Sequence, residues 1–273
     1  MSLKKLRKKL QLSMTKQIHD LEVVGIRTLK QGFHVITLWA PESLPQILPG
    51  QFAEIAPPGH EVFLRRPFSF YDIDFQANTL SFLFKAVGKG TKAMAAAKPG
   101  DFLNTIYPLG KSYTLPTGNK ALLAGGGTGI APMLMLGKFL ISNGITPTFI
   151  FGGRSKDDIV DLDIFQKLGE VMVATEDGSL GFQGLITRHP VFASLKDFSK
   201  IYSCGPDPMM HAIGILAQEA GVACEVSLEN TMACGIGACL CCIVETHEGN
   251  LTTCTSGPVF NVVDLVGWDQ PKL

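Results

Sequence analysis

The chain has 273 residues, 46% of them apolar and 18% charged, enough to fill the cores of two domains. Lysine plus arginine equals aspartate plus glutamate at 24 each, so no overall field recruits nucleic acid or an anionic membrane. The longest nearly apolar run, 130–141, is broken by Gly137 and Lys138 and is too short for a bilayer, so no integral membrane segment is expected.

Residues 1–15 read as a basic tail in which Lys4, Lys5, Arg7, Lys8 and Lys9 alternate with Leu3, Leu6 and Leu10. One apolar helical stripe would suit a membrane surface or a partner, but a solvated tail is the plainer expectation. No sustained apolar segment follows the charges, as a secretory signal would require. The odd number of cysteines argues against a disulfide framework, and a cytoplasmic location is expected.

From 16 to 117 short β-rich runs at 33–38, 52–55, 64–71 and 80–87 are parted by Pro, Gly or Asn, which predicts a small antiparallel β-barrel. One run carries Arg66-Pro67-Phe68-Ser69, and another ends in Leu83-Phe84-Lys85. Gly90-Thr91 then opens a predicted helix, whose N-terminus together with an arginine can hold a pyrophosphate. The Ser69 hydroxyl can bond the polar edge of a flavin ring. Taken singly, Arg66 reads equally well as a surface charge and Gly90 as a simple helix entry.

Pro116-Thr117-Gly118-Asn119 is the predicted linker, and from 118 to 228 strands alternate with helices in the manner of a doubly wound α/β domain. A buried strand at 121–124 runs into Gly125-Gly126-Gly127-Thr128-Gly129, with Pro132 in the first turn of the next helix. Bare backbone at a helix start suits a dinucleotide pyrophosphate. A later strand at 200–203 leads to Cys204-Gly205-Pro206 at the same end of the sheet. Asp158, after the second strand, is a candidate acceptor for a ribose hydroxyl, whereas Arg154 beside it would welcome a 2′-phosphate.

Residues 229–273 concentrate five of the seven cysteines. Cys234, Cys239 and Cys242 are spaced by four and then two residues, with Cys254 further on, the pattern in which thiolates wrap a two-iron cluster. A predicted hairpin, with strand 243–246, turn 248–250 and strand 251–253, would bring Cys254 back beside the loop. Cys241 is surplus and is expected to point away. A four-thiolate zinc site is the main alternative, but structural zinc prefers paired short spacings. That alternative would make the chain a zinc-stabilised interaction module.

Together, Arg66 to Ser69, Gly90-Thr91, Gly125 to Gly129, Cys204-Gly205-Pro206 and the cysteine loop resemble the ferredoxin–NADP reductase superfamily. Glu229-Asn230-Thr231-Met232-Ala233-Cys234-Gly235-Ile236-Gly237-Ala238-Cys239, with Cys254 and Gly257-Pro258-Val259-Phe260, is similar to the electron-transfer subunits of NAD-dependent dihydroorotate dehydrogenases. The resemblance implies a barrel that binds FAD through Arg66–Ser69, Leu83–Lys85 and Gly90-Thr91, and an α/β domain that binds NAD. It also implies a 2Fe–2S cluster on Cys234, Cys239, Cys242 and Cys254. The implied partner is an FMN-containing catalytic subunit that oxidises dihydroorotate for pyrimidine synthesis, in a heterotetramer of two copies of each. A reductase component serving a hydrogenase, a sulfur reductase or an oxygenase is the nearest rival. Cys241 and the long basic tail depart from the family pattern, and neither removes a ligand.

Overall fold

The structure, a computed structural model, describes residues 16–59 and 62–269, so the basic tail lies outside the described residues. The first unit is a seven-stranded antiparallel sheet made of β1 (Gln17–Thr28), β2 (Phe33–Trp39), β3 (Phe52–Ile55), β4 (Arg66–Ser69), β5 (Asp72–Asp74), β6 (Thr79–Lys85) and β7 (Phe102–Leu109). Its order is β4-β3-β7-β1-β2-β6-β5. Alternating residues such as Leu21, Val23, Ile36, Leu38, Phe82 and Phe84 point inward and form one core. The sheet curls until its ends meet through rings rather than a ladder. Phe68 lies 5.7 Å from Phe84, and Phe70 lies 5.3 Å from Phe82. The predicted barrel is therefore present, with three strands, β1, β5 and β7, that the short-run pattern does not mark.

Helix α1 (Lys89–Ala95) follows β6. Residues 116–119 have no regular structure and lead into a second sheet. That sheet contains β8 (Lys120–Gly126), β9 (Thr146–Gly153), β10 (Glu170–Thr175), β11 (Phe182–Gln183), β12 (Lys200–Cys204), β13 (Ala223–Ser227) and β16 (Val259–Asn261). The order is β11-β10-β9-β8-β12-β13-β16, parallel except for β16. Strands such as Leu122–Ala124 and Ile201–Cys204 are buried without a break because both faces are covered. Helix α2 (Ala131–Ser142) packs Leu134 and Leu140 on one face with Leu123, Phe149 and Phe151. Helix α4 (Asp207–Ala220) packs Met210, Ile213 and Ala217 on the other, with Leu122, Ile150 and Ile201. A short helix α3 (Leu162–Gln166) lies between β9 and β10.

The cysteine segment rests on the barrel and then returns to the α/β sheet. Its hairpin is β14 (Ile243–Thr246) with β15 (Gly249–Thr252), and Thr246 pairs with Gly249. The turn is therefore His247-Glu248, tighter than the predicted 248–250, because Gly249 at φ 107° already opens the returning strand. The returning strand ends at Thr252, one residue short of the predicted 253, and Cys254 follows on helix α5 (Thr253–Ser256). Beyond it β16 joins β13 antiparallel, and Val262 and Trp268 close over α4.

Ion pairs fix the barrel against the α/β unit. The Arg27 guanidinium donates two bonds of 2.7 Å to Asp161, and the Tyr71 hydroxyl donates another of 2.7 Å to the same carboxylate. Lys138 donates to both oxygens of Asp72 at 2.7 Å. Burial opposes ionisation of Asp161, but the bonds from Arg27 and Tyr71 prevail and hold its pKa below the usual range. A depressed carboxylate stabilises the fold above its unfolded pKa and loses that contribution as pH falls through its folded value. Arg27→Ala is expected to cost about 2 kcal/mol at pH 7, less than a fully buried pair because Arg27 is half exposed. In urea titrations the gap between wild type and Asp161→Asn should hold from pH 6 to 8 and narrow below about pH 4.

Candidate functional site

A cleft of about 800 Å³ lies where the barrel mouth meets the carboxyl ends of β8 and β12. The barrel lines it with Pro67, Phe68, Ser69, Leu83, Phe84 and Lys85. The sheet supplies Gly126, Gly127, Thr128, Arg154, Asp158, Glu176 and Pro206. The chain leaves β8 for β9 on one side and later returns to lay β12 on the other, so the crevice opens at this point.

The remaining sequence candidates stand behind the lining. A Cβ on Gly129 would overlap the Cys204 carbonyl, so glycine there lets the first turn after β8 abut the end of β12. Gly125 is buried against Ile130 and Phe151, and Gly205 against the backbone of Gly126. These glycines shape the crevice without facing it. Cys204 is fully buried with its Sγ 4.0 Å from Glu229 Oε1, and burial pushes its thiol well up. Arg66 donates to the carbonyls of Leu64 and Arg65 at 2.9 and 3.0 Å. Its Nε would lie 3.6 Å from a Cβ on Gly90, so guanidinium and helix start do stand together. The Thr91 hydroxyl accepts from Val87 N and Gly88 N at 3.0 and 3.1 Å, and so holds the entry to α1.

Asp158 is already engaged. Its Oδ1 accepts from Lys85 Nζ at 3.1 Å, and its Oδ2 accepts from Arg154 N at 3.1 Å. Burial works against its charge, yet the Lys85 bond leads the effects that hold its pKa down. Two lining carboxylates are not among the sequence candidates. Glu176 follows β10 on the same rim, one strand beyond the loop that carries Asp158. Glu229 follows β13, open to the cleft but crowded by protein, and that burial, with Asp207 adding, raises its pKa. Both carboxylates closely follow a parallel strand, the signal that could flag them.

The cysteines assemble in two pairs. Cys239 N donates to Cys234 Sγ at 3.4 Å, and Cys254 N donates to Cys242 Sγ at 3.4 Å. Burial opposes a thiolate at Cys234, but N–H groups of Ile236, Cys239 and Ala238 outweigh it and bring the pKa to about 6. Burial, with Cys242 beside it, pushes Cys254 to about 11. Gly235 and Gly237, at φ 67° and 87°, let the backbone turn its amides inward. Among the described residues no three of these side chains are placed to hold one metal ion. Two pairs suit two irons, each taking two thiolates, better than one tetrahedral zinc. Cys242 and Cys254 pack with Met232 against Phe52, Ile106 and Leu109, so the loop rests on the barrel wall, while Cys241 is exposed.

Residues 229–266 match the iron–sulfur cluster binding domain of dihydroorotate dehydrogenase B, and residues 123–214 match the oxidoreductase NAD-binding domain. The electron transfer subunit of dihydroorotate dehydrogenase B (NAD(+)) from Desulforamulus reducens is 37% identical over 255 residues, covering 89% of this chain and 96% of that protein. The chain belongs to this family of electron-transfer subunits. The Fusobacterium nucleatum member is 40% identical over 228 residues, 80% of this chain and 86% of its own. Among solved structures, an NADH-dependent reduced ferredoxin–NADP oxidoreductase superposes with a TM-score of 0.82 at 29% identity, covering 93% and 91% of the two chains. A ferredoxin reductase in carbazole 1,9a-dioxygenase reaches 0.68 at 26% identity, over 77% and 68%. The superfamily fold and the two matched domains fit FAD in the barrel, NAD on the sheet and a 2Fe–2S cluster in the cysteine lobe.

Iron analysis separates the thiols. Cys242→Ser and Cys254→Ser are expected to lose most of the iron while FAD absorbance persists, whereas Cys241→Ser should keep both.

Proposed function

We infer that the chain carries electrons from the FMN of a dihydroorotate-oxidising partner, through its own iron–sulfur centre and FAD, to NAD. The observation that carries this reading is the placement of the paired cysteines on the wall of the same barrel whose mouth opens on the dinucleotide crevice. When bound, the flavin exchanges a hydride with nicotinamide and single electrons with an iron–sulfur centre, which is why it must stand between them. The protein's own part is to hold these sites close together. Ser69 and the backbone of β4 face the flavin end of the cleft, while Phe68 and Phe84 give it apolar walls. Gly126, Gly127 and Thr128 leave backbone open to a pyrophosphate at the start of the turn before α2.

The catalytic partner follows from membership of a subunit family; its FMN, two-plus-two stoichiometry and cytoplasmic setting belong to the proposal. Among the described residues no helix is long and apolar enough to cross a membrane. NAD rather than NADP is read from the rim carboxylates. Asp158, tied to Lys85, keeps the loop after β9 in place, and Glu176 is the carboxylate more open to a ribose hydroxyl. Glu176→Ala should raise KM for NADH about tenfold, the value of one charge-assisted hydrogen bond, and narrow the preference over NADPH. Asp158→Ala should move KM less.

The decisive experiment mixes the anaerobic holoprotein with the catalytic subunit and tracks NADH formation after dihydroorotate is added. Reduction of NAD only when both subunits are present is expected. A stable complex whose partner lacks FMN and ignores dihydroorotate would reject the reading.

A further inference from the structure

Glu54 lies on β3 in the barrel wall with no solvent-accessible surface. Neither of its carboxylate oxygens has a hydrogen-bond partner among the described residues. A buried, unpartnered carboxyl is costly, so its neighbours decide whether it can serve a purpose. On one side β3 pairs with β4, setting Glu54 opposite Pro67 of the cleft lining. On the other it pairs with β7, opposite Ile106. Above it lies the cysteine loop. A Cβ on Gly235 would stand 2.6 Å from Glu54 Cγ and 3.2 Å from its Oε1, so only glycine lets the loop settle on this side chain.

The charged neighbours do not neutralise it. Arg65 donates to the carbonyl and the side-chain oxygen of Asn104 at 2.6 and 2.5 Å, and Arg66 is turned to backbone carbonyls. From β7 the titratable residue is Tyr107, whose hydroxyl meets His19 at 3.1 Å. From the loop it is Cys234. Burial is the main influence on the carboxyl and raises it to about 7, against the pull of Arg65.

We propose that Glu54 sets the reduction potential of the iron–sulfur centre, its carboxylate placing a negative charge in the barrel wall directly beneath the loop that holds the irons. The residue touches the loop at Gly235 and acts on the centre through its field, which is poorly screened in a buried wall. In its ionised form the carboxylate disfavours the reduced centre and tilts the sharing of an electron between loop and barrel toward the flavin side. This inference rests on the electron-transfer function proposed for the chain.

The test uses the holoprotein with Glu54→Gln, which keeps shape and removes charge, and Glu54→Asp, which keeps charge and shortens the side chain. Each is titrated anaerobically at pH 9 with redox mediators, with electron spin resonance reporting the centre and absorption reporting the flavin. Glu54→Gln should keep its iron and FAD but hold about tenfold more reduced centre at a given potential, about 59 mV for one electron. Glu54→Asp should stay close to wild type. An unmoved potential in Glu54→Gln overturns the proposal, as does loss of its iron. A shift in Glu54→Asp alone would assign the side chain to packing and overturn it equally. Absence of any iron signal from wild-type holoprotein would defeat the electron-transfer reading itself.

Discussion

Hydride and electron transfer both demand that separate pieces of one chain stay within a narrow range of distances. In this fold the constraint is met at a junction where Asp161 takes three hydrogen bonds from two barrel residues, Arg27 and Tyr71. Asp161 itself adopts the left-handed backbone conformation, φ 53°, directly before α3. Its carboxylate is thus fixed by the α/β unit and captured by the barrel. The cleft between them keeps its width because this contact and the Lys138–Asp72 pair pin the two units at separate points.

Inside that frame, glycine serves three distinct purposes. At Gly129 it permits two loops to touch, and at Gly127 it leaves backbone open on the cleft. At Gly235 it lets the thiolate loop lie flat on the barrel. The third contact shortens the path between the loop and the flavin end of the cleft, since β3 under the loop is hydrogen-bonded to β4 in the lining. The same strand brings Glu54 to the junction, so the barrel wall is electrically active as well as mechanical.

The two carboxylates of the crevice rim divide their roles by their existing contacts. Asp158 commits both oxygens to Lys85 and to the backbone of Arg154, closing the loop after β9 toward the barrel. Glu176 sits one strand away on the cleft surface. A ligand entering this rim meets the second more readily than the first, although only the first is conspicuous in sequence.

Local spacing determined a great deal. The four-then-two cysteine interval, the glycine run after a short apolar strand and the Arg-Pro-Phe-Ser segment each express chemistry confined to a few neighbouring residues. They were therefore legible in the sequence. Strands β1 and β7 were not, because charged and aromatic residues interrupt their alternation and their partners lie far away in the chain. The turn of the cysteine hairpin depended on a single glycine dihedral, and the place of Cys254 on a helix depended on how the chain leaves β15. Which candidates face the cleft, which cysteines pair, and that Glu54 lies beneath the loop were decided only by packing between distant segments. Burial and pairing are properties of the assembled fold, and no stretch of sequence carries them alone.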